Sequence, residues 1–237
     1  TTHSLNQTQN NMKTIIYTLL LLCLFACKLP TQTNEAIFKY DNGEIVTKPE
    51  YINPFYFEYQ DVKSYPVESF TIFSKNNEHS YSVKLSNYQG TEGDGGYYRS
   101  IDVEYKNKNI LSLKQSDGWD KLQKHVRPLA SNDYFLALPL TDSSTALVFV
   151  GYPYNSQPEL LTIVILNKGE ATLVFNKEIM IRSIKYDKAN LSFVMNLQDY
   201  PVEYLDVDTP CYTPKFFKIL LDKGILKFEG PYNTIEE

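Results

Sequence analysis

The sequence predicts an all-β fold of antiparallel hairpins. Two observations carry that prediction, short strand-like runs and the polar turn residues spaced between them, while 19 tyrosines among 237 residues suit either a β-rich core or an aromatic recognition surface. β-Branched and aromatic side chains suit a pleated, half-buried surface, and helical periodicity is rare along this chain.

The elements follow in chain order. Residues 70–73 and 81–85 form the first expected hairpin, across a polar turn that holds His79. Residues 101–105 and 110–113 enclose Lys106, Asn107, Lys108 and Asn109. Trp119, Leu122, Val126 and Leu129 then recur near helical spacing, and Pro128 marks a stop. One short helix is therefore expected near 119–127, its apolar stripe covering a sheet edge and Trp119 packed as core.

Three further hairpins complete the series. Residues 160–166 and 171–175 flank Asn167, Lys168, Gly169 and Glu170; 182–186 and 191–195 flank Asp187, Lys188, Ala189 and Asn190; 216–221 and 225–228 flank Asp222, Lys223 and Gly224. Each is a polar turn of the kind that closes antiparallel strands. The stretch 146–195 reads as the successive strands of a propeller blade. Roughly 200 residues would give four or five blades of about 40–45 residues. A β-sandwich uses the same pattern, and a propeller-like array is preferred to it.

The N-terminal region reads differently. Lys13 follows Met12, and residues 15–26 are an apolar stretch of about a dozen residues, short of the roughly 20 that a membrane-spanning helix needs. Leu24, Phe25, Ala26 and Cys27 come next. This run resembles the lipobox of bacterial lipoprotein precursors, with Phe25 departing from its commonest form. The resemblance covers roughly residues 12–30. It implies cleavage before Cys27 and lipid on the Cys27 thiol, usually with a further acyl chain on the freed amine. Each buried methylene adds about 0.8 kcal/mol of membrane affinity, so two or three chains anchor stably. Cys23 is a poor rival because Leu22 before it is large. Lys28 after the cysteine favours delivery to the outer membrane, with the domain facing the periplasm.

The expected divisions are extraneous or misassigned residues 1–11, a signal peptide 12–26, a lipid-anchored tether 27–34 and one β-rich domain 35–237. Removing 26 residues leaves 211, enough for one ordinary core. The whole chain carries a formal charge of −5, and Lys13 is the only charge in the removed part, so the remainder carries −6. That balance argues against a nucleic-acid partner, which would require a basic face. With Cys23 removed and Cys27 lipidated, Cys211 lacks a disulfide partner within the chain and is read as a small buried residue.

Catalytic patterns are missing from the sequence. His79 and His125 do not form a metal-ligand pair, and neither a G-x-S-x-G elbow nor a Gly-rich phosphate loop is present. Asp199, Glu203, Asp206 and Asp208 are weak candidates for a Ca²⁺ site or for a glycosidase acid and base. A solvated loop is the ordinary reading of such a run. No cofactor is expected.

Binding candidates are aromatic. Tyr51, Phe55, Tyr56, Phe57, Tyr59 and Tyr65 crowd 15 residues. Strand-like alternation would put Phe55, Phe57 and Tyr59 on one face and Tyr56 on the other. One face should join the core and the other remain free to meet a sugar ring or a protein surface. Gly90, Gly93, Asp94, Gly95 and Gly96 form a permissive loop bracketed by Tyr88, Tyr97 and Tyr98. The leading expectation is a membrane-anchored, non-enzymatic binding or assembly module for a protein or glycan. A carbohydrate-active hydrolase using paired carboxylates, and an inhibitor or immunity lipoprotein, are the alternatives.

Overall fold

The computed structural model describes residues 38–40, 51–91, 96–123, 131–151, 159–187, 189–199 and 213–234. Cys27, the signal and the tether lie outside these residues. So do His125, Glu203, Asp206, Asp208, Cys211 and the loop 92–95. The described residues all fall within one compact unit, Ala36–Glu237.

The fold is all-β. Strands β1 (Phe38–Tyr40), β2 (Ser64–Phe73), β3 (Ser80–Tyr88), β4 (Tyr98–Tyr105), β5 (Lys108–Trp119) and β6 (Phe135–Pro139) come first. They are followed by β7 (Ser144–Gly151), β8 (Glu159–Asn167), β9 (Glu170–Asp187), β10 (Ser192–Gln198), β11 (Phe216–Asp222) and β12 (Ile225–Tyr232). A four-stranded sheet has the order β2-β3-β4-β5, and an eight-stranded sheet has the order β1-β12-β11-β10-β9-β8-β7-β6. Every pairing is antiparallel except that of β1 with β12.

All five expected hairpins are present, and local turn chemistry explains three of them. Tyr105 pairs with Lys108, Asn167 with Glu170 and Asp222 with Ile225, leaving two-residue loops. Both loop residues have positive φ: Lys106 and Asn107 (50° and 61°), Lys168 and Gly169 (47° and 88°), Lys223 and Gly224 (49° and 80°). Such turns match the twist of the strands they join. Lysine holds the first position each time, with Asn or Gly at the second, where the left-handed conformation costs less.

Strand β9 changes partner along its length. Residues up to Ile179 pair with β8, and residues from Met180 onward pair with β10. The strands therefore make three meanders in chain order: β2–β5, β6 to the first half of β9, and the second half of β9 to β12. Neither sheet closes on itself. Successive stacked meanders are common to propeller-like arrays and sandwiches, and the described strands form an open array.

Two cores separate the meanders. Every residue of β7 is buried, and so is β8 apart from its last residue. Both faces of these strands are covered, which is why they read as nearly continuous apolar runs. Leu147, Phe149, Leu160 and Val164 pack with Val83, Ile101 and Trp119 of the four-stranded sheet. The intervening Val148, Val150, Leu161 and Ile163 pack with Phe193, Met195, Ile219 and Phe228.

The short helix expected near 119–127 is not found over 119–123. Trp119 ends β5. Asp120 N–H then donates to Val150 O at 2.9 Å and Leu122 N–H to Asp133 O at 2.8 Å, distant partners where a helix would use the carbonyl four residues back. The apolar residues matched helical spacing by coincidence, because Trp119 and Leu122 enter different cores. Residues 124–127 lie outside the described residues. Trp119 is core, as the sequence indicated, with no solvent exposure.

Candidate functional site

The candidate aromatic residues gather at one end of the four-stranded sheet, where β3 and β5 finish and β4 begins. Segment 53–59 is extended and runs beside the end of β5. Tyr56 N–H donates to Gln115 Oε1 at 3.2 Å, Ser116 N–H donates to Tyr56 O at 2.8 Å, and Glu58 N–H donates to Ser116 Oγ at 3.0 Å. These bonds place alternate side chains on opposite sides. Phe55, Phe57 and Tyr59 are half-buried, whereas Tyr56 is 64% exposed.

The inward side chains have separate tasks. Phe55 meets Trp119 with ring centroids 6.1 Å apart, and Tyr98 stacks on the same indole at 5.9 Å. Phe55 and Tyr98 therefore belong to the packing that supports the site. Phe57 packs edge-on against Tyr88 at 4.9 Å, and Tyr59 stacks on Tyr88 at 6.2 Å. Phe57 and Tyr59 thus form a half-exposed aromatic ledge with Tyr88 beneath it.

A buried guanidinium supports that ledge. Arg99 lies fully buried with its Cζ 5.7 Å from the Tyr59 ring centre. Its Nε donates to Ser116 O at 2.7 Å and its Nη1 to Asn87 Oδ1 at 3.0 Å. Asn87 Oδ1 also accepts from Thr91 Oγ1 at 3.0 Å. Arg99 thereby ties the ends of β3, β4 and β5 together beneath the segment carrying Tyr56.

An exposed and a half-buried cation flank the rings. Lys114 Nζ stands 5.4 Å from the Phe57 ring centre, and Lys121 Nζ stands 4.3 Å from that of Tyr97 and 5.4 Å from that of Tyr134. Tyr97 is 50% exposed. Hydrogen bonding to Tyr97 is the main cause raising the Lys121 ammonium above its ordinary 10.5, so it stays charged at neutral pH. The charge of Glu58, and the hydrogen bond that Tyr56 Oη donates to Glu58 Oε2 at 3.2 Å, raise the Tyr56 phenol above 10.0. Tyr98 is pushed well above 10.0 by burial. Neither the Tyr56 nor the Tyr98 phenol is prepared to act as a base near pH 7.

The arrangement offers ring faces for stacking and ammonium groups for hydrogen-bond acceptors. Sequence reasoning found Tyr56, Phe57, Tyr59 and Tyr97 but missed Arg99, Asn87, Lys114, Lys121 and Tyr134. Nothing local marks those residues, because their roles arise from contacts between strands.

Of the weak metal candidates, Asp199 lies among the described residues, and Glu203, Asp206 and Asp208 lie outside them. Asp199 bridges the ends of β10 and β11: its N–H donates to Lys215 O at 2.9 Å, and its Oδ1 accepts from Lys215 N–H at 2.7 Å. No group of three or more His, Cys, Asp or Glu side chains suited to a metal occurs among the described residues. Comparison with protein-family models, curated proteins and solved structures finds no match to this chain.

Proposed function

We propose that this chain is a lipoprotein of the bacterial envelope, anchored through Cys27 in the outer membrane and facing the periplasm. Its β domain acts as a non-enzymatic binding or assembly module for a protein or glycan. The observation that carries the binding reading is the presence of exposed Tyr56 and Tyr97 at this end of the sheet, with Lys121 over the Tyr97 ring and Lys114 over the neighbouring Phe57. Exposed aromatics on buried supports contribute contact area with little loss of side-chain entropy. The Cys27 lipid keeps that surface near the membrane, where the partner would be met.

Two measurements test the proposal. Cys27→Ala should abolish labelled palmitate incorporation and release the protein from membranes; unchanged lipidation refutes the anchor. A photoreactive phenylalanine analogue at position 56 or 97 in cells should form a discrete adduct that the same analogue at exposed Leu191 does not form. Adducts at Leu191 alone, or turnover of a substrate by the purified chain abolished by one carboxylate substitution, would sink the binding reading.

A further inference from the structure

At the opposite end of the four-stranded sheet, a shallow groove of about 340 Å³ opens between the turn 74–79 and the turn 106–107. We infer that this groove is a second ligand site, built for an uncharged saccharide of one or two rings. It lies apart from the aromatic end, and neither reading depends on the other.

The groove presents hydroxyls in register. Thr71 pairs with Ser82, and Ser82 in turn pairs with Glu104, so the three side chains stand side by side across β2, β3 and β4. Ser80 continues the row toward the turn. Glu78, Glu104 and Asn107 add strong acceptors and an amide.

The carboxylates are already held in place. Lys84 Nζ binds Glu104 Oε1 at 2.6 Å, and Asn76 Nδ2 donates to Glu78 Oε2 at 2.7 Å. The turn bearing Glu78 is itself fixed. His79 N–H donates to Ser74 Oγ at 3.0 Å, Ser74 Oγ donates to Asn76 Oδ1 at 2.7 Å, and Asn76 N–H donates to Asp142 O at 3.0 Å. Acceptors positioned before binding reduce the ordering cost for a ligand that brings hydroxyl donors.

Beside this row stands Phe73, 58% exposed and paired in register with Ser80. A large ring on an otherwise polar sheet face offers a stacking platform to the C–H face of a pyranose. The charges balance, with Lys84 offsetting Glu104 and Lys106 offsetting Glu78, so the groove has no surplus positive charge to favour an anion. The volume lies at the low end of the roughly 300–1,000 Å³ usual for small-molecule sites, which sets the one-to-two-ring limit.

The test is an NMR titration of the ¹⁵N-labelled chain with N-acetylglucosamine, its β-1,4 dimer, maltose, cellobiose and methyl mannoside. At least one sugar should shift the amides of residues 71–73, 80–82 and 104–107, with a Kd of about 1 mM or tighter. Phe73→Ala and Glu104→Gln, both on the groove face of the sheet, should each weaken binding about tenfold, a loss of about 1.4 kcal/mol. Leu191→Ala, at an exposed position outside both ends of the four-stranded sheet, should leave it unchanged. The inference is overturned if every sugar leaves these amides unmoved, if the shifts cluster at Tyr56 and Tyr97 instead, or if both groove variants bind as the parent does. Tighter binding of inorganic phosphate at the same amides would also overturn it.

Discussion

Trp119 Nε1–H donates to Thr162 Oγ1 at 2.8 Å, joining the four-stranded sheet to the central strand β8. The same hydroxyl donates to Asn176 Oδ1 at 2.7 Å, and Asn176 Nδ2 donates to Asn53 O at 3.0 Å. One buried threonine thus connects the indole beneath the aromatic end to the chain entering that end. Thr162→Val keeps the shape but leaves the indole N–H and the amide oxygen unpaired. The expected cost is about 2–3 kcal/mol in urea unfolding, with Thr162→Ser recovering most of it. A cost below about 0.5 kcal/mol for the valine variant would show that the relay is not needed for stability.

Arg99 supports a second prediction. Its donors satisfy Ser116 O and Asn87 Oδ1 inside the fold, and its guanidinium lies under Tyr59. Arg99→Met strands those acceptors and should destabilise the chain by about 3 kcal/mol. Arg99→Lys keeps the charge but lacks the planar fork, so it should still lose about 2 kcal/mol. Equal stability of the lysine variant and the parent, measured by chemical unfolding, would reduce the guanidinium to a simple charge.

Two glycines with similar φ separate strain from crowding. Gly118 has φ of 71°, and a Cβ there would sit 2.5 Å from Tyr98 O. Gly90 has φ of 82° with nothing within 4 Å of that position. Gly90→Ala should cost about 1 kcal/mol, the ordinary penalty of a left-handed alanine. Gly118→Ala should cost about 3 kcal/mol or more, because the carbonyl of a paired strand must also move. Matching thermal shifts in the two variants would contradict the crowding argument.

Much of this architecture is legible in the sequence because it is local. The pairs Lys106–Asn107, Lys168–Gly169 and Lys223–Gly224 announce their hairpins through turn chemistry alone. The alternation of Phe55, Tyr56 and Phe57 likewise survives in the structure, since period-two geometry needs no knowledge of the partner strand. Long-range relationships are not legible in this way. The division of β9 between β8 and β10 depends on which strands return to it, and its sequence carries no break at Ile179. The strand expected over 110–113 continues through Gln115 and Ser116, which are buried where segment 53–59 binds them.

Glu159 gives a pH prediction. Its side chain is buried beside β9, where Oε2 accepts the Ile181 N–H at 2.9 Å. Burial is the largest influence and raises its pKa above the ordinary 4.5, outweighing the hydrogen bonds and the Arg182 charge that favour ionisation. A carboxyl with a raised folded pKa binds its proton more tightly in the folded chain. Its ionisation therefore costs stability as pH rises from the unfolded value through the folded one, and the cost is fully present above both. Glu159→Gln removes the buried charge while keeping an oxygen for Ile181. At pH 7.5 the variant should unfold at a higher temperature than the parent, by about 2–4 °C, the scale of roughly 1 kcal/mol in a domain this size. The advantage should shrink as pH falls toward 4.5, where the parent's own carboxyl takes up its proton. A difference that stays constant from pH 7.5 to pH 4.5 would assign the effect to packing, and a variant less stable at pH 7.5 would mean that the Ile181 bond outweighs desolvation.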